Sequence, residues 1–387
     1  MRTVTPRPGE TRLRLNAVAC ALAALAVSAI CLWLRVAYEY DGNVTGLYYT
    51  GETISTPPQL AGEHIRRIAG DRGYDAQFYH YVAHDPLLTR GLAEYVDNPR
   101  LRWRRILVPG LAYTLASGND DAIDLMYVAV MLAFAGLGAY WLGLLGERAW
   151  LGLGFLLIPA VLISLDRMTV DLPLAALCIA FVLHGGPRES RAVYAVLAAA
   201  PLVRETGLLL IAGWCVWTGS QRRWRQAVQG AACAVPALGW WTYVQSRTAP
   251  DQTGWLGPYP FAGLIQRTLD PPVIPRTGLW MRMANLTEQL ALVGIWAAFA
   301  AVLWILWKRR WTLAGVAAVV FAAFSSLLGK YDIWADAYAS GRVLSPLLVL
   351  LVIVAIEEKR IMPALPMLLI LPRVLLQYYA ILKRMFS

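Results

Sequence analysis

Charge is what this sequence has least of. Of its 387 residues only 16 % are Asp, Glu, Lys or Arg, whereas 58 % are hydrophobic and the mean hydropathy is +0.49. A soluble protein carries about 25 % charged residues, so this chain lacks the polar surface needed to cover a core in water. The shortage excludes a soluble enzyme, a disordered protein and a secreted disulfide scaffold. It predicts an integral membrane protein.

Cysteine is also scarce, and no two cysteines have a paired spacing. The five that occur all lie in apolar runs: Cys20, Cys31, Cys178, Cys215 and Cys233. Such positions are typical of small core residues, so neither a disulfide framework nor a cysteine zinc site is indicated. Internal repeats, an appended soluble domain and the glycine-rich loop that holds nucleotide phosphates are missing from the sequence as well.

Long apolar runs are what the sequence has instead. A hydrocarbon core of about 30 Å needs about 20 helical residues to cross it. Runs near that length predict an all-α polytopic protein of ten to twelve transmembrane helices, with eleven preferred. The runs lie at 15–36, 122–145, 150–165, 172–185, 191–203, 207–219, 227–245, 286–307, 312–328, 343–356 and 361–381. The first run is too long for a signal peptide and lacks a small-residue cleavage site, so it is expected to remain as an anchor.

Basic residues between the runs orient the predicted helices. Four arginines precede the first run and place the N-terminus in the cytoplasm under the positive-inside rule: Arg2, Arg7, Arg12 and Arg14. If residues 37–121 form one outer excursion, the inner loops that follow are nearly all basic. These inner loops are 147–148, 187–191, 221–225, 308–310 and 357–360. The net charge of +10 is then a property of cytoplasmic loops, and no nucleic-acid partner is expected.

We treat the chain as one transmembrane domain, and the alternation of its predicted spans also assigns a side of the membrane to the later loops. Residues 246–285 become a second outer loop, while Lys383 and Arg384 fall outside, against the trend. The apolar stretch 106–116 is too short to cross and contains Pro109 and Gly110. It is therefore predicted to lie in the membrane interface.

Polar chemistry collects in the first outer excursion. Residues 37–104 hold nine of the 25 acids and three of the four histidines. Residues 73–86 predict a short helix with Asp75 in its first turn, where the helix dipole favours a carboxylate. Its face of Phe78, Tyr79 and Val82 suits an amphipathic helix that lies along the membrane and points one acid into a cleft. The alternative is that Asp75 only caps this helix.

The histidines of this helix offer a second alternative. His80 and His84 are four residues apart with Asp85 adjacent, so a metal site is conceivable. A glutamate base at the appropriate spacing is missing from the sequence around them. We therefore expect no cofactor and no metal, with a divalent metal on His80 and His84 as the alternative.

Further ionisable residues occur at the outer ends of the predicted spans. Residues 100–105 contain four arginines, which either reach lipid headgroups or bind a phosphate. The others are Asp166, Asp171, Arg204, Glu205 and Arg342. Each of these could form a structural ion pair, but their position on one side of the membrane predicts an outward-facing active site. A transporter would instead favour polar groups near the midplane and a visible repeat.

These motifs together resemble the GT-C superfamily of membrane glycosyltransferases. Residues 75–83 are similar to the acid and Tyr-rich interfacial helix of that family, and residues 104–109 to its second interfacial helix. Further similar motifs are residues 169–174, 203–207 and 341–346. More narrowly, residues 41–46 with 73–79 resemble a small bacterial family of polytopic proteins linked to cell-surface glycopolymers. One departure is that Ala76 follows Asp75 where several GT-C families have an adjacent acid pair, which puts metal dependence in doubt.

The resemblance implies a sugar donor linked to polyprenyl phosphate and a glycan, lipid or protein acceptor. Transfer would take place on the outer face of a bacterial cytoplasmic membrane. In an inverting transfer a carboxylate accepts the acceptor's proton, and we expect this base to be Asp75, with Asp41 as the competitor. The expected phosphate-binding residues are Arg104, Arg105, Arg204 and Arg342.

The remaining acids and aromatics of the predicted site have supporting roles. Asp166, Asp171 and Glu205 would orient the sugar or hold the arginines, and Tyr79 would contact the substrate. Trp255 and Tyr259 of the second outer loop could stack on a sugar ring, although anchoring at the membrane interface is the favoured interpretation. Two other function classes stay open: a transporter or flippase of a lipid-linked sugar, and a non-catalytic scaffold in envelope assembly.

Overall fold

The computed structural model describes residues 8–186, 190–250, 254–271 and 278–386. Parts of three predicted features lie outside these ranges: the N-terminal residues Arg2 and Arg7, residues 187–189 of one inner loop, and residues 251–253 and 272–277 of the second outer loop. The described chain is mostly helical and has only two strands of two residues each, which confirms the all-α prediction.

The first outer excursion and its flanking helices come first in the chain. The α-helices are α1 (Pro8–Tyr38), α2 (Ala76–His84), α3 (Pro99–Arg104), α4 (Leu107–Leu115) and α5 (Asp120–Leu145). Short 3-10 helices lie at Val44–Tyr48, Pro58–Glu63 and Leu92–Tyr95. Two strands of two residues each, β1 (Thr50–Gly51) and β2 (Arg67–Ile68), pair in parallel with Thr50 opposite Arg67.

The remaining helices form most of the apolar bundle. The middle of the chain contains α6 (Pro159–Arg167), α7 (Asp171–Gly185), α8 (Ala192–Val203), α9 (Leu208–Ser220), α10 (Trp224–Ala232), α11 (Val235–Arg247) and α12 (Ala262–Leu269). The last part contains α13 (Gly278–Trp307), α14 (Leu313–Ser326), α15 (Tyr331–Trp334), α16 (Ala337–Val343), α17 (Ser345–Glu358) and α18 (Leu365–Phe386). Three more 3-10 helices lie at Ala149–Leu157, Glu205–Gly207 and Met362–Ala364.

Only some of the predicted spans are long enough to cross a bilayer. In the described residues four segments qualify by length and hydropathy: Gly9–Tyr38, Asp120–Leu145, Gly278–Trp307 and Met362–Tyr379. Two bent pairs raise the number to six if each is one span; the 3-10 helix Ala149–Leu157 with α6 bends by 59°, and α16 with α17 by 65°. Other apolar helices are shorter, and the 15 residues of α7 extend only about 22 Å. The number of eleven spans therefore stays a prediction.

Two short helices, α7 and α17, form the centre of the bundle. Most of their residues are buried, and the two helices pack against each other. In contrast, only 22 % of the apolar window of α1 is buried, and its Leu22 and Trp33 are exposed. An exposed face of this kind is what a lipid-facing helix requires. All five cysteines carry free thiols, and Cys178 of α7 is the fully buried one.

Charged residues separate to the two ends of the bundle. At one end the C-terminal turn of α1 meets α6 through an ion pair of Arg35 with Asp166, and the start of α7 meets the end of α8 through Asp171 and Arg204. At the other end Arg310, before α14, lies 3.3 Å from Glu358 at the end of α17. The candidate site belongs to the first of these ends.

At that end α2 is covered on all sides by the segments between α1 and α5, by α11 and by the main core. All nine residues of α2 are buried. Its Phe78 and Val82 join a small apolar cluster with Trp103 and Val244, while Tyr79 joins the main core. Protein therefore covers both faces of α2, which leaves no face for direct contact with lipid, and its position along the membrane surface stays a prediction.

A tight backbone contact holds the segment in front of α2. The amide of Gly51 donates to Oε1 of Gln77 on α2 at 3.1 Å, and Thr50 forms a bridge with Gly73. A Cβ atom on Gly51 would lie 2.2 Å from the backbone carbon of Arg72. Only glycine fits at this position without displacement of the strand or of residues 72–73.

Candidate functional site

Asp75 lies immediately before α2 and is held by two arginines from distant segments. Its Oδ1 is 2.9 Å from Nη2 of Arg102, and its Oδ2 is 2.7 Å from Nη2 of Arg342. The carboxylate makes no capping hydrogen bond to α2, so the capping alternative is wrong. The side chain remains 25 % exposed and can reach a ligand from solvent.

Arg102, on α3, is the member of this site that the sequence analysis missed. Its Nη2 also lies 2.8 Å from Oδ2 of Asp97, its Nε donates to Oδ1 of Asp97 at 3.0 Å, and its guanidinium stands 5.0 Å from the ring centroid of Phe78. Four arginines occur within six residues here, and only the orientation of α3 selects this one. The expected Arg104 instead stacks near Trp241 and has no carboxylate partner in the described chain.

Arg342 approaches Asp75 from the other side, in the last turn of α16 just before the bend into α17. Its Nε is 3.5 Å from Oδ2 of Asp171, the first residue of α7, which also accepts a hydrogen bond from Arg204. Nε and Nη1 of Arg342 are buried and have no hydrogen-bond partner among the described residues. The arginine therefore keeps donors that a ligand can use.

Arg105 adds a second ion pair beside the first. Its guanidinium contacts Glu205 at 3.1 Å, and its Nη1 donates to the hydroxyl of Tyr79 at 2.6 Å. Arg105 is buried, while a quarter of the Glu205 side chain is exposed. The positive charge of Arg105 also acts on Asp75, so the two ion pairs belong to one electrostatic unit.

We refer to these residues as the arginine cluster. Its members are Asp75, Asp97, Arg102, Arg105, Asp171, Arg204, Glu205 and Arg342, with Tyr79 as a neighbour. Four guanidinium groups face four carboxylates, so the cluster is formally neutral. It joins α2, α3, α7, α8 and α16, whose residues are far apart in the sequence.

The electrostatics of Asp75 follow from this arrangement. Burial alone would raise the pKa of the carboxyl group, but the positive charges of Arg102 and Arg342 and the hydrogen bond from Arg102 outweigh it. The pKa of Asp75 is held well below its usual range. Asp75 is ionised in the free protein and a weak base as long as both arginines contact it.

Besides Arg104, two predicted site residues lie outside the arginine cluster. Asp41 is 77 % exposed on its side chain and pairs with Arg66 at 3.1 Å. Asp166 is buried in a separate group with Arg35, Arg167 and Tyr338.

The two aromatic residues of the second outer loop also lie apart from the arginine cluster. Trp255 lies under Nζ of Lys330 at 5.0 Å from the ring centroid, and its carbonyl accepts from the amide of Gly329. Tyr259 is 56 % exposed. These contacts join the loop to the segment that follows α14.

Sequence reasoning also missed a buried ion group around Glu288 of α13. The carboxylate accepts from Arg267 at 3.2 Å, from Arg373 at 2.9 Å and from the amide of Ala337 at 2.8 Å. The group ties α12, α13, α16 and α18 together. Both oxygens of the Glu288 carboxylate are engaged within the group, which favours a structural role, while Nη1 of Arg267 is buried without a hydrogen-bond partner among the described residues.

His80 and His84 point away from the arginine cluster, towards carboxylates of other segments. Atoms of Glu63, His80, His84 and Asp124 that can bind a metal all lie within 4.8 Å of one another. The neighbour expected from sequence, Asp85, faces elsewhere, because its carboxylate accepts from the amides of Thr89 and Arg90. The histidines thus have different partners from those that sequence proximity indicated.

Comparison of the chain with protein-family models, curated proteins and solved structures gives no match in any of the three. The functional argument therefore depends on the geometry of the residues themselves.

Proposed function

We propose that the protein is a GT-C type glycosyltransferase that transfers a sugar from a polyprenyl-phosphate donor on the outer face of a bacterial cytoplasmic membrane. The observation that supports this most is the position of Asp75 between Arg102 and Arg342. A partly exposed carboxylate and guanidinium groups with unused donors are what a proton acceptor and a phosphate site require. The eleven predicted spans and a cytoplasmic N-terminus belong to the same proposal.

The arginines supply the part of the site that takes the donor. Guanidinium groups bind phosphate oxygens through pairs of parallel hydrogen bonds. Arg342 has two buried donor atoms without a hydrogen-bond partner in the described part of the chain, so it can bind a phosphate without first losing every existing contact. Phosphate binding on Arg342 weakens its hold on Asp75.

Binding of the donor phosphate to Arg342 also makes the Asp75 carboxylate a stronger base. With one arginine engaged by phosphate, the pKa of Asp75 rises from its depressed value and the group becomes a better base. The acceptor hydroxyl then gives its proton to Asp75 while its oxygen attacks the anomeric carbon. The bond between that carbon and the phosphate oxygen breaks, and polyprenyl phosphate leaves with the negative charge, which the arginines stabilise. Donor binding and base strength are coupled by this mechanism.

Turnover in liposomes tests the proposal. Full-length protein is reconstituted with radiolabelled polyprenyl-phospho-hexoses and polyprenyl-phospho-pentoses and with glycan, lipid and peptide acceptors. We expect labelled product from the wild type, a rate at least about 100-fold lower from Asp75→Asn, and wild-type rates from Asp41→Asn, which serves as the matched control. A folded Asp75→Asn protein that keeps full transfer activity would contradict the assignment of the base.

A transporter of the lipid-linked sugar is the second candidate, because two bent helix pairs border the charged end of the bundle. Broken helices of this kind occur at the substrate sites of many transporters. Movement of the labelled lipid across the liposome membrane without any glycosidic product would favour it over transfer.

A further inference from the structure

We propose that Glu63, His80, His84 and Asp124 bind one divalent transition-metal ion of the zinc class. In this section these four residues are called the histidine cluster. The site is separate from the arginine cluster and does not depend on glycosyl transfer. It stands on three observations: convergence of four ligands, buried ligand atoms without hydrogen bonds, and a fixed outer shell.

The ligands converge from three elements. His80 and His84 occupy successive turns of α2, Glu63 ends the 3-10 helix Pro58–Glu63, and Asp124 lies in the second turn of α5. A tetrahedral zinc ion with bonds of about 2.0–2.1 Å separates its ligands by about 3.3 Å. Nε2 of His80 lies 3.0 Å from Glu63 Oε2 and 3.1 Å from Asp124 Oδ1, and Nε2 of His84 lies 3.6 Å from Asp124 Oδ1. These separations fit the edges of one coordination shell.

The ligand atoms are buried and lack hydrogen bonds. Both histidine side chains are fully buried, at 0 % exposure. Nε2 of His80, Nε2 of His84, Oδ1 of Asp124 and both carboxylate oxygens of Glu63 have no hydrogen-bond partner among the described residues, although they lie at ion-pair distances. Buried polar atoms without partners cost free energy, and a cation bound between them removes that cost.

An outer shell holds the histidine rings. Nδ1 of His84 is 2.9 Å from Oδ1 of Asp120, which is itself bound by both terminal nitrogens of Arg90. A carboxylate on one imidazole nitrogen turns the other towards a metal, as in carboxylate–histidine–zinc triads. The ring of Tyr48 stacks on His80 at 4.4 Å between centroids. Oε1 of Glu63 also lies 2.9 Å from Nδ1 of His84, so Asp120, Tyr48 and the proposed ligand Glu63 together set the orientation of the rings.

The ligand types select the class of ion. Two neutral imidazoles and two carboxylates give a charge of −2, which a divalent ion neutralises in a buried position. Imidazole with carboxylate suits zinc and its transition-metal neighbours, whereas Ca²⁺ and Mg²⁺ prefer all-oxygen shells. With four protein ligands the site is closed, which is typical of a structural ion, and it would join the 3-10 helix Pro58–Glu63 to α2 and α5.

The test uses the full-length protein in detergent, purified without a polyhistidine tag and without chelator. We expect about one equivalent of zinc by elemental analysis, and after chelation and Co²⁺ loading the visible absorption of a tetrahedral site. His84→Ala should lose the metal and the Co²⁺ absorption. His64→Ala, next to Glu63 but exposed, should retain both.

A second measurement does not depend on variant folding. For the wild type, chelation should lower the apparent thermal midpoint and stoichiometric Zn²⁺ should restore it, while Mg²⁺ should not. Wild-type protein that takes up no zinc or Co²⁺, or a Co²⁺ spectrum unchanged in His84→Ala, overturns the proposal. Those results would mean that charged histidines pair with the carboxylates instead.

Discussion

Two polar clusters lie beside the nine-residue helix α2, one at Asp75 just before its first residue and one around His80 and His84. They differ in how many of their polar atoms lack a partner. In the arginine cluster, carboxylates and guanidinium groups are already paired, yet Asp75 is a quarter exposed and Arg342 has unused donors. In the histidine cluster, the imidazoles are fully buried and their inward nitrogens have no hydrogen bond to any residue that the structure describes. The first arrangement suits a ligand that comes and goes, and the second suits an ion that stays. The proposed catalytic site thus lies at the start of α2, and the proposed structural metal site lies along its later turns.

The largest expected effect is the loss of transfer rate when Asp75 of the arginine cluster is replaced. A general base contributes about 100- to 10,000-fold to a rate, so Asp75→Asn should lower kcat by a factor in that range. The initial rate of sugar transfer at saturating donor measures it. The corresponding change in the histidine cluster, His84→Ala, should lower thermal stability more than kcat per folded molecule. Equal losses of kcat in the two variants would remove the distinction between the clusters.

A smaller effect is expected for phosphate binding. Arg342→Lys keeps the positive charge but loses the planar pair of donors, and one charge-assisted hydrogen bond is worth about 1.5–3 kcal/mol. KM for the lipid donor should rise about tenfold or more, with less change in KM for the acceptor. The matched control is Arg66→Lys at the exposed pair with Asp41, which should leave both constants unchanged. Equal increases in both KM values would argue against a phosphate-binding role.

The next effect is expected in the pH dependence of thermal stability below about pH 4, where the ionised Asp75 of the arginine cluster becomes protonated. Because the pKa of Asp75 is depressed in the folded protein, its contribution is present above the unfolded value of about 3.9 and is lost as pH falls towards the folded value. The apparent thermal midpoint of the wild type should therefore fall more steeply below about pH 4 than that of Asp75→Asn. Parallel curves for the two proteins would show that the carboxylate does not carry this dependence.

The smallest effect is expected at the exposed pair. Ion pairs on the surface contribute about 0–1 kcal/mol, so Asp41→Asn should change the apparent stability by less than about 0.5 kcal/mol. Thermal denaturation at low and high salt measures this change. A loss of several kcal/mol would mean that Asp41 has a partner beyond Arg66.

The sequence predicted most of the residues of the arginine cluster, but it did not predict which of them contact one another. Asp75, Arg105, Arg204, Glu205 and Arg342 are brought together as their placement at the ends of apolar runs indicated. Each apolar run is predicted to cross the bundle from one side to the other, so alternate run ends lie on the same side. Charged residues at those ends are therefore expected to be near one another.

Two other features could not be predicted from sequence, for physical reasons. Arg102 and Arg104 are two residues apart on α3, and only tertiary packing decides which one faces Asp75. Likewise Glu63 and Asp124 are distant in sequence from the histidines that they approach, so no local spacing reveals them. Breaks inside the predicted runs were missed for a related reason. The runs 150–165 and 227–245 are each divided between two helices, and hydropathy does not show where a helix breaks or bends.

The contact at Gly51 has a consequence for genetics. A methyl group there would meet the Arg72 backbone and push the residues that precede Asp75 out of place. In a screen of random variants for loss of transfer, position 51 should appear among the most sensitive sites even though glycine has no reactive group. Substitutions at Gly62, where an added Cβ meets no atom within 4 Å, should pass the same screen unnoticed.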